Sequence, residues 1–391
     1  MTDFIYQNTT KIIFGRTAEE IAAGEMADCK KVLLIYGSGS IKKNGLYDKL
    51  TSLLNGNSIP FAEFSGVTAN PDISFVREGV KTARQENADF ILAVGGGSVI
   101  DAAKGIAAGV YYEGDPWDFY SKKHVPKKAL PIGSVLTIPA AGSESSLTSV
   151  VSNSETKEKN SCSTACFAPK FAALNPENTY TLPAYQTACG AADMAAHMLE
   201  RYFVNTPCCD LTDRLIEGAL QTVIEFAPKV LADPNNYDLR AELMWAGTIA
   251  HCNILDTGRE SAKGRGGDWS SHNIEHQLSA YYGIAHGAGL AVIFPAWMKF
   301  VKNKNPRKLA QLGRRIFGAV GGDMECAEET IVRFEEFFKR IGLPTRLSGL
   351  SIGDEFFGEM AEKAVTAKNN NLGVYVHLDK GDVEEIYQIA R

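Results

Sequence analysis

The sequence predicts an α/β domain with a parallel, Rossmann-like sheet over residues 1–182, followed by an all-helical domain over residues 183–391. Three observations carry this expectation. Two continuous apolar runs, Val32-Leu33-Leu34-Ile35-Tyr36 and Phe90-Ile91-Leu92-Ala93-Val94, have the length and composition of strands covered on both faces. Each runs straight into glycine and then a helical pattern, the grammar of a parallel sheet flanked by helices. Beyond Thr181-Leu182-Pro183, where proline suits a first helical turn, long helical patterns replace strand signals.

Taken in order, the opening segment from Phe4 to Gly15 reads as strand with a turn inside it. The first apolar run leads through Gly37-Ser38-Gly39-Ser40 into a helix at about 41–54. A helix at 72–86 precedes the second run, which leads through Gly95-Gly96-Gly97-Ser98 into a helix at 98–110. Further strands are expected near 130–138 and 171–175. The second half offers helices at about 183–204, 209–230, 237–256, 270–282, 325–341 and 353–369.

Composition narrows the partners. The 391 residues are 45 % hydrophobic and 22 % charged, as in ordinary globular proteins. A net charge of −6 makes nucleic acid and anionic membranes unattractive partners. No apolar run approaches the roughly 20 residues that span a bilayer. The first residues lack the basic start and apolar stretch of a secretory signal, and eight scattered cysteines read as reduced thiols, so a cytoplasmic protein is expected.

The glycine turns point to a nucleotide. A glycine-rich turn between strand and helix offers backbone N–H groups and the positive end of a helix dipole to phosphate. Gly95, Gly96, Gly97 and Ser98 fit this role, although they do not spell G-x-G-x-x-G, and a lone turn of this kind would read as a tight β–α connection. After the first strand no acidic residue follows Gly37, Ser38 and Ser40; Lys42 and Lys43 come instead. That leaves room for a 2′-phosphate and favours NADP(H), with NAD(H) as the alternative.

Histidine spacing points to a metal. Asp193 and His197 lie four apart in a helical stretch, on one face. The stretch from Asp268 through His272 to His276 repeats that spacing, and His286 follows beyond Gly283. Four of the seven histidines fall between residues 251 and 286. One carboxylate and three imidazoles suit Fe²⁺ or Zn²⁺. His276 reads either as a ligand in place of a neighbour or as a proton carrier, whereas His124, His251 and His377 read as structural or solvated.

The Gly95-Gly96-Gly97-Ser98 turn, the Leu136–Glu144 stretch LTIPAAGSE, the Asp193…His197 pair and the His272…His276…His286 run together resemble the iron-containing (group III) alcohol dehydrogenases, and among them the butanol dehydrogenase and NADPH-dependent aldehyde reductase branch. The resemblance covers the whole chain. It implies a dehydroquinate synthase-like fold, with Asp193, His197, His272 and His286 as metal ligands and His276 beside the substrate as catalytic proton relay. It implies Gly37, Ser38, Ser40, Gly96, Gly97, Ser98, Thr137 and Lys159 around the dinucleotide, and a homodimer. Ala141 stands where relatives often carry threonine, which removes a hydroxyl from the coenzyme's surroundings. The expected reaction is hydride transfer between nicotinamide C4 and a small aldehyde or primary alcohol such as butanal or butanol. Alternatives are a glycerol or other polyol dehydrogenase and, from another class, a non-catalytic metal- or nucleotide-binding protein.

Overall fold

The computed structural model describes residues 1–262, 265–368 and 370–391. The chain forms two compact units. A sheet unit comprises Asn8–Pro183 and Pro234–Thr248; a helical unit comprises Met1–Gln7, Ala184–Asp233 and Ile249–Arg391.

The strands of the sheet unit are β1 (Lys11–Phe14), β2 (Val32–Gly37), β3 (Phe61–Val67), β4 (Phe90–Gly95), β5 (Ile132–Leu136), β6 (Thr148–Asn153), β7 (Glu158–Ser163) and β8 (Phe171–Leu174). Six of them form one parallel sheet in the order β1-β8-β5-β4-β2-β3, and β6 and β7 pair as an antiparallel hairpin. The two apolar runs are β2 and β4, side by side with Val32 opposite Phe90. Leu33, Ile35, Ile91 and Ala93 join a core with Val76, Ile100 and Ile106 from helices Ile73–Gln85 and Gly97–Gly109. Val32, Leu34, Phe90 and Leu92 join another with Leu46, Leu50 and Leu54 of helix Leu46–Gly56. Both faces are covered, so alternation vanishes from the sequence, and each buried aliphatic side chain contributes about 1.5–3 kcal/mol. From β2 the chain moves to β3 on one side, and from β4 to β5 on the other. The carboxyl ends of β2 and β4, where both glycine turns sit, therefore flank the topological switch point at which open α/β sheets bind ligands.

In the helical unit, Ala184–Tyr202, Asp210–Ala232, Ser270–Tyr282 and Asp323–Arg340 lie close to their expected positions. Among them runs His286–Val301, buried along nearly its whole length and packed against Ala184–Tyr202, Ser270–Tyr282 and Lys380–Ala390. Among the described residues, no helix is long and apolar enough to cross a membrane.

Several elements differ from expectation. Only Lys11–Phe14 of the opening segment is strand. The helix expected at 41–54 is broken into Ser40–Lys43 and Leu46–Gly56 at Gly45, whose φ of 81° is left-handed. The helix expected at 237–256 ends at Ala250, and Asn253–Asp256 is a separate 3₁₀ turn. The last of the expected helices is shorter, Phe357–Thr366.

A buried lysine fixes the loop after β5. Lys104 Nζ, fully buried, donates to the carbonyls of Ser143 (2.7 Å), Ser146 (3.0 Å) and Thr148 (2.8 Å). Asp101, one turn earlier on the same helix, accepts from Ser143 Oγ (2.6 Å) and the Val150 amide (3.1 Å). Burial pushes Lys104 down to about 8, against the pull of Asp101 and Glu144. Lys104→Met leaves those carbonyls without a donor and is expected to destabilise the protein by about 3 kcal/mol. Urea unfolding checks this, and a loss below about 1 kcal/mol would count against the strut.

Candidate metal centre and nucleotide turns

Three imidazoles converge on one carboxylate oxygen. Helix Ala184–Tyr202 carries Asp193 and His197 one turn apart, with His197 Nε2 3.3 Å from Asp193 Oδ1. Helix Ser270–Tyr282 carries His272 in its first turn, with Nε2 3.9 Å from the same oxygen. His286 opens helix His286–Val301 and sets its Nε2 3.8 Å from it. Asp193, His197 and His272 are buried, and the His286 side chain is 22 % exposed, the most open of the set. Ligand atoms about 2.1 Å from a tetrahedral ion stand about 3.4 Å apart. The three separations from Asp193 Oδ1 have that scale. The ligand atoms of Asp193, His197 and His272 lie within 4.8 Å of one another, whereas His286 is mutually close to Glu275 and His276 and reaches the group through Asp193. The donor types fit a borderline divalent ion.

Close helix packing makes this convergence possible. A Cβ on Gly287 would lie 2.0 Å from the Cys189 carbonyl oxygen, and one on Gly289 would lie 2.5 Å from Glu275 Oε1. Any larger residue at either position would push His286 away from its partners.

Behind the imidazoles lies a buried outer layer. Glu200 and Glu275 are completely buried. Glu200 Oε1 meets His272 Nδ1 at 2.8 Å and accepts the His272 amide at 2.9 Å, while its Oε2 accepts the Trp269 amide at 2.6 Å. Glu275 meets His286 Nδ1 and accepts from Ser279 Oγ. A carboxylate at Nδ1 keeps the proton there and turns the Nε2 lone pair inward. His251, read above as structural or solvated, instead lies with its Nδ1 2.9 Å from His197 Nδ1. Neither glutamate was singled out in the sequence, although Glu200 lies seven residues after Asp193 and Glu275 three after His272.

Two further positions need separate description. Asp268 does not pair with His272 as their spacing suggested. Its Oδ1 accepts the Ser270 amide (3.0 Å) and its Oδ2 the amides of Val374 and Tyr375 (both 2.7 Å), so it ties the first residue of the helix to a distant segment. Burial, followed by the charge of Glu200, pushes its carboxyl up to about 6. His276 stands outside the Asp193 group. It is half-buried, its ring centre is 5.3 Å from that of His286, and one of its ring nitrogens lies within 4.8 Å of ligand atoms of Glu275 and His286.

The nucleotide candidates gather on the sheet unit. Gly37 closes β2, Ser38 and Gly39 turn the chain, and Ser40 opens the next helix. Gly95 closes β4, Gly96 caps helix Gly97–Gly109, and Ser98 lies in its first turn. The three glycines serve different ends. A Cβ on Gly95 would strike Val99 (2.4 Å) and one on Gly96 would strike Ile138 (2.9 Å), whereas one on Gly97 would meet nothing closer than Ser143 Cβ at 3.9 Å. Of the three, only Gly97 would accept a Cβ without a clash. The Thr137 amide donates to the Gly95 carbonyl (3.0 Å), and Lys159 on β7 donates to Asn70 Oδ1 (2.9 Å). Lys42 is not isolated. Glu63 on β3 lies 3.6 Å from its ammonium and also accepts the hydroxyls of Tyr36 (2.6 Å) and Tyr47 (2.5 Å).

Comparison with known proteins identifies the family. Residues 9–176 match the family model for iron-containing alcohol dehydrogenase, and residues 187–391 match the C-terminal model of the Fe-containing alcohol dehydrogenase family. A probable NADH-dependent butanol dehydrogenase 1 of Bacillus subtilis (strain 168) is 44 % identical over 394 residues, covering 100 % of both chains. An NADPH-dependent aldehyde reductase of Escherichia coli (strain K12) is 35 % identical over 396 residues, again covering 100 % of both. The crystal structure of an NADH-dependent butanol dehydrogenase A from Thermotoga maritima superposes with a TM-score of 0.95 at 40 % identity, covering 100 % of this chain and 99 % of that one.

The convergent donors are expected to bind one Zn²⁺ or Co²⁺ per chain in equilibrium dialysis. Glu275→Leu, which removes the acceptor at His286 Nδ1 without touching the ion, should weaken that binding by about 10–100-fold. Unchanged affinity in that variant would contradict the orienting role given to Glu275.

Proposed function

The chain belongs to the iron-containing alcohol dehydrogenase family, and from that premise we propose that it interconverts small aldehydes and primary alcohols, with butanal and butanol as representative pair, using NADP(H) in preference to NAD(H) and one Fe²⁺ or Zn²⁺. The carrying observation is the approach of three Nε2 atoms to Asp193 Oδ1 at 3.3, 3.8 and 3.9 Å.

Asp193, His197, His272 and His286 would hold the ion, with Glu200 and Glu275 keeping the Nδ1 protons of His272 and His286 in place. When bound, the ion supplies Lewis-acid polarisation of a carbonyl and the nicotinamide supplies or takes the hydride. His276 is the candidate proton relay. It is half-buried beside His286, and an imidazole nitrogen exchanges protons near neutral pH. On the sheet unit, the backbone at Gly97 and Ser98 opens a helix N-terminus to phosphate, while Gly95 and Gly96 hold that turn against Val99 and Ile138. Gly37, Ser38, Ser40, Thr137 and Lys159 complete the proposed dinucleotide site.

The NADP(H) preference rests on the absence of an acidic residue between Gly37 and Lys43. Glu63 partly answers the charge of Lys42, so the preference is expected to be modest and NAD(H) to be accepted. The free thiols Cys29, Cys162, Cys166, Cys189, Cys208, Cys209, Cys252 and Cys326 suit a reducing cytoplasm. A homodimer is proposed because β1 lies at the sheet edge with Phe14 42 % exposed. Sedimentation at twice 42.4 kDa checks this, and a single 42.4 kDa species would refute it.

The deciding experiment follows NADPH oxidation with butanal after metal removal and anaerobic reloading with Fe²⁺ or Zn²⁺, with NADH in parallel. Metal-dependent turnover that disappears in His272→Ala is expected, faster with NADPH than with NADH. Stoichiometric metal without turnover on either coenzyme would sink the aldehyde reductase reading; equal rates would remove the coenzyme argument alone.

A further inference from the structure

The imidazoles around Asp193 are not supported alike. His272 Nδ1 meets Glu200 at 2.8 Å, and His286 Nδ1 meets Glu275. His197 Nδ1 instead meets His251 Nδ1 at 2.9 Å, with the two ring planes 79° apart. His251 is 6 % exposed, follows directly on helix Tyr237–Ala250, and packs edge-on to Trp269. Arg201 fixes the other side of His197 by donating to its carbonyl at 2.9 Å.

Two ring nitrogens at hydrogen-bond distance share one proton, so one ring donates and the other accepts. A His197 that turns a bare Nε2 towards Asp193 must carry its proton on Nδ1. His251 is then the acceptor, and its own proton sits on Nε2.

We propose that His251 is a positioning residue for the divalent ion: its bare Nδ1 accepts the Nδ1–H of His197 and holds that ligand in the tautomer and ring orientation that coordination requires. The inference rests on the metal reading above and deepens it. A neutral acceptor strengthens a ligating imidazole less than a carboxylate does. His197 is therefore the least electron-rich of the three imidazole donors, and its coordination depends on geometry held by His251 rather than on charge.

The test uses the full chain, stripped of metal and titrated with Co²⁺ or Zn²⁺ against a competing chelator. His251→Leu removes the acceptor. It is expected to remain folded with a melting temperature lowered by a few degrees without metal, to bind both ions about 10–100-fold more weakly, and to show altered Co²⁺ absorption bands. His251→Gln, whose amide oxygen accepts the same proton, should recover most of the affinity. A leucine variant with wild-type affinity and an unchanged Co²⁺ spectrum overturns the proposal while leaving the metal site standing. A wild type that binds neither ion overturns both. Should the leucine variant not fold, histidine ring ¹⁵N spectra of the Zn²⁺-loaded wild type decide the matter. A bare Nδ1 on His251 supports the assignment, and a protonated one refutes it.

Discussion

Bringing three imidazoles to within 4 Å of one buried carboxylate oxygen is the constraint around which the helical unit is arranged. Each histidine must present the same nitrogen, and an imidazole free to choose its tautomer would often present the wrong one. Glu200 and Glu275 remove that freedom for His272 and His286, and both carboxylates are completely buried to do so. The backbone then has to bring three helices close enough, which is why Gly287 meets the Cys189 carbonyl and Gly289 meets Glu275. Asp268 and Arg201 belong to the same scheme. One ties the first residue of the His272 helix to Val374 and Tyr375; the other joins the His197 carbonyl to Asp256.

The sheet unit solves a different problem with comparable means. Its proposed ligand is bound by backbone, so loops rather than side-chain rotamers must be rigid. The loop between β5 and β6 has no regular strand or long helix to hold it, and the Gly97–Gly109 helix supplies the support through Lys104 and Asp101. Burying an ammonium is costly, and the depressed affinity of Lys104 for its proton reflects that cost. The three carbonyls and two hydroxyls gathered around Nζ offset it and make the loop's course specific.

Legibility in the sequence followed chemistry more closely than geometry. The central strands were plain because both faces of β2 and β4 are covered, leaving unbroken apolar runs. β3, β6 and β7 were not: Phe61–Val67 is mostly half-exposed, and Thr148–Asn153 and Glu158–Ser163 are rich in polar residues. Helix His286–Val301 was missed for the opposite reason. It is apolar all round, so it has no periodicity to read, and it contains Pro295. Helix Tyr237–Ala250 was expected from the sequence, but a helical pattern does not say what a helix packs on. Most of it belongs with the sheet unit, where Met244 enters the core and Trp245 meets Phe14. Among the site residues, Asp193, His197, His272 and His286 stood out by type and spacing. Glu200, Glu275 and His251 did not, because a residue that orients a ligand is set by three-dimensional contact and leaves only a faint helical offset behind.

The charges of this region argue for a cation independently of spacing. Asp193, Glu200, Asp268 and Glu275 are all at least nine-tenths buried. Arg201, the guanidinium that bonds the His197 carbonyl, is itself answered by Asp256 at 2.7 Å. Burying carboxylates together is unfavourable unless positive charge or hydrogen bonds compensate them, and burial, followed by the charge of Glu200, pushes Asp268 up to about 6. A divalent ion among Asp193 and the three imidazoles would add positive charge at the centre of the group. The glutamates would then serve twice: as hydrogen-bond acceptors they set the tautomers, and as negative charges they favour a doubly charged occupant. On that proposal, carboxylates at two of the three positions behind the imidazoles add charge where neutral amides would supply hydrogen-bond acceptors alone.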